Sequence, residues 1–118
     1  MERDNDEAVR ERYNLQIAAT EQKMADLHAE EQEAVQTLEL FAEAMMQDFS
    51  RIEAIEAELN RRANQQDRFS ELAAQRQYLS RSCTWQQDAL QETYAEARVN
   101  LEIEREALQR ERDELTAA

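Results

Sequence analysis

Glycine and proline are both absent from this chain of 118 residues. Those are the residues that ordinarily punctuate a compact domain, one by reaching left-handed backbone angles and the other by ending helices. Their absence predicts very few loops. Cys83 is the one cysteine, so an internal disulfide is excluded, and His28 is the one histidine. No run approaches the roughly 20 apolar residues of a membrane span. The opening residues Met1, Glu2, Arg3 and Asp4 carry no apolar core of a signal peptide. These features predict a protein kept in the cytoplasm, or exported together with a partner by a route that reads folded features.

What remains is mostly Ala, Leu, Glu, Gln and Arg, the residues that lose least free energy when fixed in a helix. Such a composition with a 3.5-residue apolar repeat defines the coiled-coil class. The net charge is −13 and uneven: residues 1–59 hold 16 acids and 5 bases, residues 60–118 hold 11 acids and 9 bases. Between 24 and 50 there are seven acids and neither Lys nor Arg, whereas Arg61, Arg62, Arg68, Arg76 and Arg81 crowd the middle. The overall sign disfavours binding to a nucleic-acid backbone.

With Ile17 at heptad position a, Tyr13, Leu27, Ala34, Phe41 and Ile55 fall at d, and Met24, Leu38, Met45, Ile52 and Leu59 at a. Thr20 at d, Glu31 at a and Asp48 at d are the faults. The same phase continues through Phe69, Ala73, Cys83, Leu90, Tyr94, Ala97, Leu101, Leu108 and Leu115. The second seam is poorer, because Arg76, Ser80, Gln87, Glu104 and Glu111 interrupt it. An unbroken phase admits one continuous helix, but residues 60–67 are polar throughout apart from Ala63. We read them as a turn, with Asn64 able to end one helix in the left-handed conformation and Asp67 capping the next. The expected fold is therefore all-α, a single long antiparallel two-helix coiled-coil hairpin with helices over about 5–61 and 68–116. A second candidate break lies at 80–84, where Thr84 and Gln87 have capping-box spacing.

In such a hairpin, facing residues have numbers that sum to about 128, which opposes each d to an a. Leu38 then meets Leu90, Met45 meets Cys83, Leu27 meets Leu101, Tyr13 meets Leu115, and small faces large at Ile55/Ala73, Ala34/Tyr94 and Thr20/Leu108. Met24 would face Glu104 and Ile17 would face Glu111. A two-helix object buries one seam rather than a globular core, so stability is expected to need a partner or self-association.

Apolar residues also spill beyond the seam in mid-chain: Val35 and Phe49 at e, Leu40 at c, Met46 at b, Leu72 and Leu79 at g, Tyr78 and Trp85 at f. These eight are the candidate partner-binding residues, because exposed apolar patches mark interfaces. A second copy in a four-helix bundle and a dedicated helical protein partner are both open as what covers them. The acids Glu30, Glu31, Glu33, Glu39, Glu43 and Asp48 beside this belt either form a solvated face or steer a basic partner.

Catalysis is not expected, since no Gly-rich loop or cluster of convergent groups is present. Nor is a metal or other cofactor. The Glu-x-x-His element of helical metal sites is missing, because Ala25 stands three residues before His28. His28 reads as a surface residue flanking the seam, and Cys83 as a small apolar member of it.

The closing segment 94–115, with Tyr94, Leu101, Leu108 and Leu115 spaced by sevens among Glu and Arg, follows a mid-chain aromatic region ending in Trp85. In this it resembles the small helical proteins encoded with LXG toxins of bacterial type VII secretion. That resemblance implies a cytoplasmic targeting factor that clasps the helical N-terminal domain of a toxin and helps present it for export. The related WXG-type proteins have a Trp-x-Gly turn, whereas Gln86 and Gln87 follow Trp85 here. The Arg preference, 13 Arg against 1 Lys, is also unusual for the bacteria best known for LXG toxins. The chain is similar as well to coiled-coil stalk or escort proteins of flagellar and type III export. An acidic mimic of nucleic acid is the third class, and the net charge alone suggests it.

Overall fold

The computed structural model describes the backbone of residues 2–63 and 66–117, and the side-chain surroundings of 5–59, 61 and 70–115. Two helices account for the described backbone: α1 (Glu2–Ala63) and α2 (Gln66–Ala117). The break falls inside the expected turn, and Asn64 lies outside the described residues. Asp67 sits within α2 rather than ahead of it, so the expected cap is corrected by a helix that starts at Gln66. The candidate break at 80–84 is likewise overturned. The Thr84 hydroxyl donates to the Ser80 carbonyl at 3.1 Å, four residues back inside a continuous helix. Thr20, Thr37 and Ser50 use the same bond, to the carbonyls of Gln16, Glu33 and Met46. A chain with no helix breaker thus absorbs its short polar residues into the helices.

The two helices pack against each other as a hairpin, and the chain divides into two compact units. Unit 1 comprises 1–32 with 92–118, and unit 2 comprises 33–91. In unit 1 the α1 face toward α2 is made by Tyr13, Ile17, Thr20, Met24, Leu27 and Glu31, the expected heptad seam. Opposite it, Tyr94, Ala97, Leu101, Leu108 and Leu115 are half-buried. Glu104 and Glu111 do not face the seam as expected; both are exposed, and the neighbouring Arg105 and Arg112 turn partly inward instead. An arginine can lay its aliphatic stem on an apolar surface while its head reaches a polar partner, which a shorter glutamate cannot do. Arg112 donates to Asn14 Oδ1 at 3.1 Å.

Glu31, a fault in the heptad reading, is buried and ion-paired with Arg98. Tyr94 has its hydroxyl pKa pushed above the ordinary tyrosine value, first by desolvation and then by the Glu30 charge, a hydrogen bond to Glu30, and the Glu31 charge.

In unit 2 a different face of α1 turns inward. Phe49 is buried, and Val35, Leu38, Ala42, Met45, Met46, Glu53, Glu56 and Ala57 are half-buried. From α2, Leu72, Leu79, Ser82, Cys83, Gln87 and Leu90 are half-buried. Four expected seam residues of α1, namely Phe41, Ile52, Ile55 and Leu59, are exposed, and so is Ala73. Cross-helix ties among the described residues include Arg76 to Glu53, with a closest approach of 3.0 Å, and Gln87 to Glu39 at 3.4 Å. Pairs at 14/112 and 31/98 in unit 1, and at 39/87 and 53/76 in unit 2, all keep within two residues of the expected register. The pairing of levels is as expected in both units, while the rotation of α1 is not.

Candidate protein-interaction surface

The rotation follows from helix geometry. A straight α-helix has 3.6 residues per turn, so a heptad stripe on it drifts by about 20° per repeat unless the helices supercoil. Counting from Ile17 in steps of eighteen residues, which is five full turns, gives Val35 and then Glu53. Both are turned toward the interior in unit 2. By about 100° per residue Phe49 lies about 40° from that line, whereas Ile52 and Ile55 lie about 100° and 160° from it.

The consequence for the eight candidate residues is mixed. Trp85 (74% exposed), Tyr78 (71%) and Leu40 (58%) are open to solvent. Val35, Met46, Leu72 and Leu79 are half-buried within the helix pair, and Phe49 is buried, so these five hold unit 2 together rather than offering a free surface. In their place the displaced heptad residues come out. Phe41 (60% exposed), Ile52 (45%), Ile55 (61%) and Leu59 (48%), with half-buried Met45 between them, form an apolar stripe along one flank of α1. Heptad counting missed them as a surface because it placed them in the seam. Counting by 3.6 was the signal that could have found them.

The flanks of unit 2 are distinct. Arg76 and Gln87 lie on one side of α2, where they tie to Glu53 and Glu39. Tyr78 and Trp85 lie some 160° or more round α2 from those two, by about 100° per residue. On α1 Phe41, Ile52, Ile55 and Leu59 lie about 100–160° from Glu39 and Glu53 by the same count. These two ties therefore lie on one side of the helix pair in unit 2, and the apolar stripe of α1 with the aromatic pair of α2 lies on the other. Of the acidic run, Glu30, Glu33, Glu39, Glu43 and Asp48 are exposed, and Glu31 is not.

Among the described residues, no group of three or more His, Cys, Asp or Glu side chains converges closely enough to hold a metal ion. Cys83 is half-buried in unit 2 and His28 is exposed in unit 1. Two shallow open clefts, one lined by Glu7, Arg10 and Asn14 and the other by Arg12, Tyr13 and Glu111, lie near the start of α1. Among the described residues no helix is long and apolar enough to cross a membrane. Comparison with models of known protein families, with curated proteins and with solved structures finds no match in any of the three.

Proposed function

We propose that this chain is a non-enzymatic adaptor that binds a helical protein through the apolar flank of unit 2. The observation that carries this reading is the exposed stripe of Phe41, Ile52, Ile55 and Leu59 with Tyr78 and Trp85 on the same side. Each large apolar side chain withdrawn from water contributes roughly 1.5–3 kcal/mol. Leaving six exposed on one flank forgoes much stabilisation that a helix laid along it would recover. Trp85 is the natural anchor, being the largest and most exposed of them.

The resemblance to the helical proteins encoded with LXG toxins makes the helical N-terminal domain of such a toxin the first partner to test. The adaptor would hold it in the cytoplasm and present it for type VII export, with co-export of the pair as a variant of the same role. The test is co-purification of the full chain with that domain. Trp85→Asp should keep its helical circular dichroism and weaken binding at least about tenfold, as loss of an aromatic anchor does. Undiminished binding overturns the use of this flank. Capture of an export ATPase instead of a toxin domain would favour the stalk or escort role.

A further inference from the structure

The geometry points to a second copy of this chain as the occupant of the α1 stripe, packed antiparallel about a two-fold axis at the level of Ser50. This rests on the flank being an interface, as above, but assigns its α1 stripe to self-association and leaves Trp85 on α2 as the anchor for a heterologous partner. The stripe reads alike in both directions from Ser50: Phe41 and Leu59 lie nine residues away, Met45 and Ile55 five, and Asp48 and Ile52 two. Laid antiparallel on a copy of itself, it sets Phe41 against the second copy's Leu59, Met45 against its Ile55 and Asp48 against its Ile52, each d opposite an a. Any heptad stripe has some register of this kind, so the choice rests on three further observations.

The first is charge. Asp48 is the only polar residue in the stripe, and Arg51 is the only Lys or Arg on α1 between Lys23 and Arg61. They pair weakly with each other at 3.5 Å, and both are well exposed. In the antiparallel register Arg51 comes within one residue of the level of the second copy's Asp48. Each arginine can then reach the second copy's Asp48 as well as its own. Self-pairing thus gives Asp48, the fault in the stripe, a second basic neighbour that α1 alone does not supply.

The second is level. The ties of Arg76 to Glu53 and of Gln87 to Glu39 place Tyr78 opposite residues 48–51, at the proposed axis. Tyr78 lies on the apolar side and would meet the second copy's Tyr78 across that axis. The third is the distribution of charge. Unit 2 holds 10 acids and 6 bases, net −4, and unit 1 holds 17 acids and 8 bases, net −9. The stripe thus lies in the unit where like-charge repulsion between copies is least.

Sedimentation equilibrium of the full chain, without any partner, tests this. The wild type should be a dimer at micromolar concentration. Ile55→Asp should be a monomer with its helicity retained, because Ile55 is 61% exposed in the hairpin. Arg51→Asp leaves four acids at the axis and should weaken dimerisation at least about tenfold. Adding Asp48→Arg to it should restore the dimer. A wild-type monomer even at about 100 μM overturns the proposal. So does a dimer indifferent to both Ile55→Asp and Arg51→Asp. A wild-type dimer whose toxin-domain capture is undiminished by Trp85→Asp sinks only the heterologous reading, and a wild-type monomer whose capture is weakened by Trp85→Asp sinks only this one.

Discussion

Unit 1 and unit 2 are cut from the same two helices and carry the same heptad phase, yet α1 presents different positions to α2 in each. In unit 1 the a and d residues Ile17, Thr20, Met24 and Leu27 turn inward. In unit 2 the interior has moved to Val35, Ala42 and Phe49, and the a and d residues Phe41, Ile52 and Ile55 are left outside. The difference teaches that a seven-residue repeat in sequence is not by itself a seam. A drift of about 20° per heptad accumulates to about 100° over the five heptads between Ile17 and Ile52. A stripe that begins inside a two-helix pair then ends on its flank. Unit 1 also makes a buried ion pair at Glu31–Arg98, whereas the ties described in unit 2 lie on its exposed polar side.

The largest expected effect tests that rotation directly. At concentrations where the chain is monomeric, Phe49→Ala should destabilise it by about 3 kcal/mol, the lower range for emptying an aromatic site in a packed interior. Ile55→Ala under the same conditions should stay within about 0.5 kcal/mol of wild type, as exposed substitutions do. Thermal unfolding followed at 222 nm reads both. The opposite ranking would restore the heptad seam and remove the exposed stripe with it.

A smaller effect is expected in unit 1. Glu31→Ala strips the partner from Arg98, but the Arg98 side chain is 40% exposed and its guanidinium can recover water. The loss should therefore be about 1.5 kcal/mol, below that of a fully enclosed pair. A chemical denaturation midpoint unchanged by this substitution would show that the ion pair adds nothing.

The smallest effect is set by pH. The folded-state pKa of Tyr94 is raised, so the folded protein holds that proton more tightly than the unfolded chain does. This contribution is fully present below the ordinary tyrosine value near 10 and is lost as pH rises through the higher folded value. Tyr94→Phe should flatten the dependence of stability on pH above about 10. It should also remove the late-titrating component of the tyrosinate absorbance. An unchanged alkaline profile would place Tyr94 outside the Glu30–Glu31 environment.

Much of this was legible in the chain. The lack of Gly and Pro dictated helices, the polar run 60–67 located the turn, and heptad phase gave the level at which each residue of one arm meets the other. The pairs Asn14–Arg112, Glu39–Gln87 and Glu53–Arg76 respect that register. The interaction surface was only half legible. Tyr78, Trp85 and Leu40 were marked as outward-facing and are, because positions f and c lie far from any seam. Phe49 was misplaced because a residue at position e lies beside the seam, where a modest rotation decides its side. Arg105 and Arg112 were missed for a related reason, since long stems cover apolar surface that a pattern of apolar letters assigns to no one.

The sequence by itself determined that the chain is helical, where it reverses and which levels oppose, since propensity, helix breakers and register are local or additive properties. Only the tertiary structure decided which face of α1 is interior in unit 2. That choice depends on whether two helices coil to follow a 3.5-residue stripe or stay straight at 3.6. Packing against a particular neighbour settles that difference, and it turns Phe49 inward and Ile55 out.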